Sequence, residues 1–470
     1  MVNRRGGLYA LVLGFLGLVL GLLVVGWFGR PVVTGFSPSI EAGEFAPASS
    51  LVTVSFSQPM DRASVESRLS IEPIVAGNFT WQDDTLSFRP STAWPQGQTV
   101  VVRLASGARS ARGLPLLSGL KWSFAVGAPR IVYLWPADGP ADLFVRSLSG
   151  EDSTRLTTTE LGVYDYCVSG DRTSLTYTAE RPDGGTDLRL LDLPTLQDRL
   201  VYACPEAHRC RAPAMSADGN WLAFEQVEIR PGPGDDWLPG PSRVWAVSLT
   251  QEEPAFPIAP ADHVSSAPSW SPQGWLAYYD NTRKAIALID LVAGEIPTPS
   301  GYLPTELGDI GSWSPDGQYL VFPEIIFTSD EDGDEERTSF YSHLFRTDLS
   351  TGVQTDLSVL RAGLVEDASP AYSPDGRWIA FARRSLEPGR WTLGRQVWRM
   401  RSDGTGARSL TDDPDYGHSA ISWSPDSGFL VFMRFYQSDL TRSAEIWVMD
   451  VDGDTPRRLA EGGYLPQWIP

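Results

Sequence analysis

Three cysteines, four histidines and one dense run of carboxylates are where this chain could do chemistry. Cys204-Pro-Glu-Ala-His208-Arg-Cys210 sets two thiols six positions apart with an imidazole between them. In an oxidising compartment that spacing suits a Cys204–Cys210 disulfide, with Cys167 left buried and free. Zinc held by Cys204, His208 and Cys210 is the competing reading, and it lacks an evident fourth ligand. Asp330, Asp332 and Asp334 alternate within residues 329–337 (SDEDGDEER) and could gather oxygens around a hard cation such as calcium. The run is not an EF-hand loop, because glycine stands at 333 rather than 335 and Tyr341 replaces the bidentate glutamate. A solvated loop tip is the alternative. His263, His343 and His418 are scattered and read as polar residues of loops and turns. No Gly-x-Ser-x-Gly elbow occurs, and Ser424-Pro-Asp426-Ser-Gly428 is the one Ser-x-Asp-x-Gly box, without its usual aromatic. The chain therefore reads as non-catalytic, with no catalytic residue and no cofactor assigned.

The elements that must position these residues are written as a repeat. A turn-plus-strand phrase recurs six times at intervals of 43 to 59 residues: 169–177 (SGDRTSLTY), 216–224 (SADGNWLAF), 271–278 (SPQGWLAY), 314–322 (SPDGQYLVF), 373–381 (SPDGRWIAF) and 424–432 (SPDSGFLVF). A fixed period means one supersecondary unit stacked many times, because a single unit cannot bury its own apolar face. Pro272, Pro315, Pro374 and Pro425 pre-set φ for a tight turn, and glycine follows to accept φ > 0. Each turn feeds an apolar strand such as 378–381 (WIAF), then an alternating strand such as 446–450 (IWVMD), then a short polar one such as 457–460 (RRLA). Four antiparallel strands of rising polarity make a propeller blade. Residues 464–468 (YLPQW) begin another blade and stop, while 131–135, 143–148 and 154–157 supply the three strands it lacks. The C-terminal strand is expected to close a ring of seven blades, with six or eight as the alternatives.

Three insertions between second and third strands exceed what a hairpin needs: 228–242 with Asp235, Asp236 and Trp237; 328–341 with the acidic run; and 385–395 with Arg390 and Trp391. By their common position in the blade they crowd on one face of the disc. Asp235, Asp236, Trp237, Arg390 and Trp391 are accordingly the expected contacts for a protein or peptide partner in the envelope. A small ligand or glycan in the funnel is the alternative, and a propeller-type hydrolase the second.

The phrases SPDGQYLVF, SPDGRWIAFARR and IWVMDVDGDTPRRL resemble the WD-like repeats of TolB-type propellers and of the propellers attached to prolyl oligopeptidase and tricorn-type peptidases. The resemblance covers residues 128–470 and implies the fold, whereas such propellers serve unrelated roles. The peptidases carry a separate α/β-hydrolase domain, which this sequence does not show. The first copy departs from the pattern with Arg172 where glycine is usual, and the third is one residue short.

Residues 31–127 read as a separate β-sandwich of short alternating runs. Residues 56–61 (FSQPMD), Trp81, 86–90 (LSFRP), 97–100 (GQTV) and 122–124 (WSF) resemble a bacterial Ig-like domain, a module used as a spacer or adhesive unit. Ahead of it, Arg4 and Arg5 precede 21 uncharged residues at 8–28. That length suits a transmembrane signal-anchor helix with the N-terminus in the cytoplasm and residues 31–470 outside; a cleaved signal peptide is the competing reading. The whole is expected to be all-β behind residues 1–30. With 58 acidic against 38 basic side chains, the formal charge of −20 argues against nucleic-acid partners.

Overall fold

The computed structural model describes residues 30–469 except 40–45, 47–49, 91–93, 234–236, 292–298, 330–337, 359–363 and positions 96, 128, 149, 151, 171, 252, 440 and 455. The chain divides into two compact units, Met1–Ala128 and Pro129–Pro470.

In the first unit, one sheet runs in the order Val33–Ser37, Val52–Phe56, Thr85–Pro90, Gly77–Gln82, and a second joins Leu69–Glu72, Thr99–Leu104 and Leu120–Ala125. The alternation in 52–56 and 99–104 sends Val52, Val54, Phe56, Val100, Val102 and Leu104 inward, where they close on Leu86, Phe88, Trp94 and Phe124. Sequence reading missed one element, the short helix Arg62–Glu66. Asp61 caps it, its carboxylate accepting the Ser64 N–H at 3.1 Å.

This is the only helix among the described residues, and none there is long and apolar enough to cross a membrane. A span of roughly 30 Å needs about 20 helical residues, whereas the described apolar residues are spent in strands. The transmembrane helix, and the single-pass placement with residues 31–470 outside, are therefore corrected. Residues 1–29, on which they rested, lie outside the described residues.

The second unit is a ring of seven four-stranded blades. Here the four strands are lettered A to D, from the innermost outward. Blade one is Tyr464–Ile469, Arg130–Trp135, Asp142–Ser147 and Ser153–Arg155, so the last strand of the chain pairs with the first of the unit through Gln467↔Val132, Trp468↔Ile131 and Ile469↔Arg130. Closing the ring in this way leaves no blade short of a strand. The A strands of blades two to seven are Val163–Val168, His208–Met215, Ser265–Trp270, Ser312–Trp313, Val365–Tyr372 and Tyr416–Trp423.

The repeated phrase has a hydrogen-bonding reason. In blade three the Ser216 hydroxyl donates to Asp218 at 2.5 Å and accepts the Trp221 N–H at 2.9 Å, while Gly219 holds φ +72°. Ser314, Ser373 and Ser424 repeat this with Asp316, Asp375 and Asp426 and with the amides of Tyr319, Trp378 and Phe429. In the irregular first copy, Arg172 takes φ +61°. The B strands that follow supply the buried Phe224, Tyr278, Phe322, Phe381 and Phe432, which fill the spaces between blades.

A second regularity is invisible in the sequence. The A strands of blades three, four, six, seven and one each carry a β-bulge, with Ala212, Ala267, Ser369, Ala420 and Leu465 at positive φ. The turned amides are taken by carboxylates of preceding segments: Ala212 N–H by Asp165 (2.5 Å), Ala267 N–H by Glu225 (2.7 Å) and Ser369 N–H by Asp309 (3.3 Å). Acidic side chains thus lock neighbouring blades together. Burial raises the Asp165 carboxyl to about 6.

Candidate functional site

Each chain segment runs down strand A, up B, down C and up D, so the B–C and D–A connections share one face of the disc. That face holds the three insertions. Two of them are not loops but prolonged hairpins. In blade three, Trp221–Pro231 and Trp237–Ser248 stay paired to Arg230↔Leu238 and Pro231↔Trp237. In blade five, Tyr319–Ser329 and Thr338–Asp348 pair without a register break to Ser329↔Thr338. Proline, glycine and acidic residues disguised these extensions, since all three are poor strand formers in isolation. The insertion of blade six, between Trp378–Ser385 and Gln396–Arg401, does form a loop.

The predicted contacts divide accordingly. Trp391 is 54% exposed, and the Arg390 side chain is 80% exposed with its guanidinium 3.6 Å from Glu387. Trp237 is half-buried and packs on blade two: a Cβ on Gly184, which sits at φ +76° in the blade-two turn, would lie 2.2 Å from its ring. Asp235 and Asp236 lie outside the described residues, as do Asp330, Asp332 and Asp334. The calcium expectation is therefore untouched, and no group of potential metal ligands occurs among the described residues.

Cys204 and Cys210 are bonded, with Cα atoms 6.0 Å apart, and pin the connection entering blade three to its A strand. Thr186 Oγ1 donates to the Cys210 carbonyl and Arg181 to that of Cys204. Cys167 is free and only partly buried, and its thiol is pushed up to about 12 by burial. The histidines differ from expectation: His343 and His418 are strand residues and buried, because each ring nitrogen Nδ1 finds a partner, Asp356 at 2.7 Å and the Arg395 carbonyl at 2.8 Å. His263 pairs with the buried Asp280 at 2.7 Å.

Sequence reading missed the apolar character of this face. Trp135, Leu161, Tyr164, Leu238, Phe327, Leu364, Trp391 and Leu465 are all exposed and stand at upper strand ends or in upper connections. Elsewhere on the described propeller the large exposed apolar side chains are Leu196, Leu200, Tyr302 and Val353. Apart from Trp391, which the sequence singled out, each of the first set is a single apolar residue at a strand end or in a connection, a signal that emerges once the ring gathers them. Beside Trp391 a cavity of about 300 Å³ opens among Arg383, Glu387, Arg390, Gln396, Trp398 and Asp412. Arg383 at its floor is buried, lies over the rings of Phe381 and Trp398, and makes a two-point pair with Asp367 at 2.6 Å for each bond. A second, open cleft of about 470 Å³ runs past Arg211, Ser242, Ser266 and Asn281.

Fold and face together define a closed seven-bladed propeller preceded by an Ig-like module. Residues 29–126 match the family model of the bacterial Ig-like domain. An uncharacterized protein of Agrobacterium fabrum is 28% identical over 302 residues, covering 61% of this chain and 89% of that one. Among solved structures, the chain is similar to TolB from Acinetobacter baumannii (14% identity, 86% of this chain and 83% of that one, TM-score 0.42). It is also similar to oligogalacturonate lyase from Vibrio parahaemolyticus (13% identity, 76% and 99%, TM-score 0.48). The seven-bladed architecture rests on the strand pairing described above.

Proposed function

We propose that this protein is a non-catalytic binding scaffold whose propeller engages protein or peptide partners through the face bearing the B–C connections. The carrying observation is the concentration of exposed Trp, Tyr, Phe and Leu side chains on that face beside Arg390. Apolar patches of this kind mark interaction surfaces, and Trp, Tyr and Arg dominate the energetics of protein interfaces. A rigid disc with prolonged hairpins suits recognition, since loops on a fixed scaffold carry function while the ring carries stability. A second reading, a small ligand or glycan, is favoured by the cavity against Trp398, whose volume lies at the lower end of small-molecule sites.

The test is capture by the immobilised full chain beside a Leu238→Ser/Phe327→Ser/Trp391→Ser variant, with bound proteins identified by mass spectrometry. The reading expects a partner retained by the parent and lost by the variant, both chains melting alike. An identical bound set for the two refutes the face.

A further inference from the structure

Blades six and seven follow one pattern, position for position. In blade six, strand pairing sets Val365 opposite Ser385, Asp367 opposite Arg383, Arg383 opposite Gln396 and Phe381 opposite Trp398. In blade seven the same ladder sets Tyr416 opposite Tyr436, His418 opposite Arg434, Arg434 opposite Glu445 and Phe432 opposite Trp447. Both blades therefore carry, on one sheet face, an arginine two residues beyond a buried phenylalanine and a tryptophan on the neighbouring C strand. The upper end is where they differ. Blade seven has Tyr416 and Tyr436 at the positions that Val365 and Ser385 hold in blade six.

In blade seven the two tyrosines close over the arginine. The Arg434 guanidinium stands 3.7 Å from the Tyr416 ring centroid and 4.6 Å from that of Trp447, and Tyr436 meets Tyr416 edge-on with centroids 5.3 Å apart. In blade six the Arg383 guanidinium stands 5.0 and 5.1 Å from the centroids of Phe381 and Trp398, and no third ring among the described residues lies against it. The cavity of about 300 Å³ is the result: Val365, Ser385, Arg383 and Trp398 all line it. Arg383 faces that space with capacity unspent. Asp367 takes Nε and Nη2 in the guanidinium plane, and Nη1 donates to no described residue. Arg146, Arg346 and Arg399 instead each end on a backbone carbonyl, of Leu459, Ser402 and Val451.

We propose that the cavity of blade six receives a tyrosine side chain from the protein partner, which stands over Arg383 as Tyr416 stands over Arg434. The ion pair with Asp367 uses the edge of the guanidinium and leaves its flat side to a ring. A cation attracts an aromatic face most strongly where it is desolvated, and Arg383 is 5% exposed. Glu387, Arg390 and Asp412 line the same cavity with charges of both signs, which suits a neutral ring bearing a hydroxyl better than an ion of either sign. Aromatic anchors seated in pockets carry much of the energy of protein interfaces, and the exposed Trp391 lies in the insertion beside this one. The proposal rests on the partner-binding reading above and names the anchor of that partner.

The probes are N-acetyltyrosinamide and N-acetylleucinamide, titrated calorimetrically into the full chain and into Val365→Tyr, which builds the arrangement of blade seven into blade six. The tyrosine amide is expected to bind the parent at least tenfold more tightly than the leucine amide. Val365→Tyr is expected to weaken that binding at least tenfold without lowering the melting temperature, and to lose the captured partner. Because the two amides are compared on the parent protein, a folding defect in the variant does not spare the proposal. Equal affinity for the two amides, no binding of the tyrosine amide up to its solubility, or unchanged affinity in a folded Val365→Tyr chain overturns it. So does binding of methyl β-glucoside that Val365→Tyr removes while the tyrosine amide stays unbound, which would make the cavity a glycan site. If Val365→Tyr still captures the partner that the Leu238/Phe327/Trp391 variant loses, the scaffold reading stands and the tyrosine proposal alone fails.

Discussion

Asp367 and Arg383 form a buried ion pair whose removal should divide sharply between single and double substitution. Asp367 is 1% exposed and Arg383 5%, two bonds of 2.6 Å join them, and the Ser358 hydroxyl adds a third contact to the carboxylate at 2.6 Å. Asp367→Ala leaves a largely buried guanidinium without its counter-charge beside Phe381 and Trp398. Breaking one side of such a pair costs about 3–5 kcal/mol. Unfolding entropy of about 2.1 cal/mol/K per residue over roughly 340 residues makes 1 kcal/mol worth about 1.4 °C, so the propeller transition should fall by about 4–7 °C. The double variant Asp367→Leu/Arg383→Met removes both charges and fills similar volume, so it should lie within about 2 kcal/mol of the parent. The coupling between the two sites should then exceed about 2 kcal/mol. Scanning calorimetry of the full chain measures all four species. A single-substitution cost under about 1 kcal/mol, or a double variant as unstable as the worse single, would refute the reasoning.

Three further outcomes are expected. Burial pulls the His418 imidazole down to about 4, below its unfolded 6.5, so the folded chain binds the fewer protons in between. That stability is present above pH 6.5 and is lost, up to about 3 kcal/mol, as pH falls towards 4. A His418→Gln chain should lose less stability than the parent on acidification through this window, and parallel melting curves from pH 7 to 4 would count against it. Asp165, raised to about 6, works in the opposite sense, its folded form holding a proton that the unfolded chain has released. Asp165→Asn should therefore gain up to about 3 kcal/mol at pH 7 and nothing at pH 4. Reducing the Cys204–Cys210 bond, whose sequence separation is 6, should cost about 2 kcal/mol by loop-closure entropy, read as a lower melting temperature of Cys204→Ser/Cys210→Ser.

The ring itself was legible because its signal is local and repeated. Each Ser-x-Asp phrase makes its turn from its own hydroxyl and carboxylate, as Ser216 and Asp218 do, so the sequence carries both the turn and the strand that follows. Closure by residues 464–469 was legible for a related reason, since a strand without a blade and a blade without a strand imply one another. The Ig-like sandwich was likewise visible in its alternating runs, although the short helix capped by Asp61 was not.

Other features depend on residues brought together across blades, and no local pattern encodes them. The bulges at Ala212, Ala267 and Ser369 place residues other than glycine at positive φ, and carboxylates distant in the chain accept their amides. The packing of Trp237 over Gly184 likewise joins residues of two blades that are far apart in the chain. The apolar face exists only because the ring gathers single residues from strand ends far apart in the chain. Local hydrogen bonding, then, is what the sequence by itself determined, turn by turn and strand by strand; long-range packing decided which side chains those strands bury and which they leave on the surface.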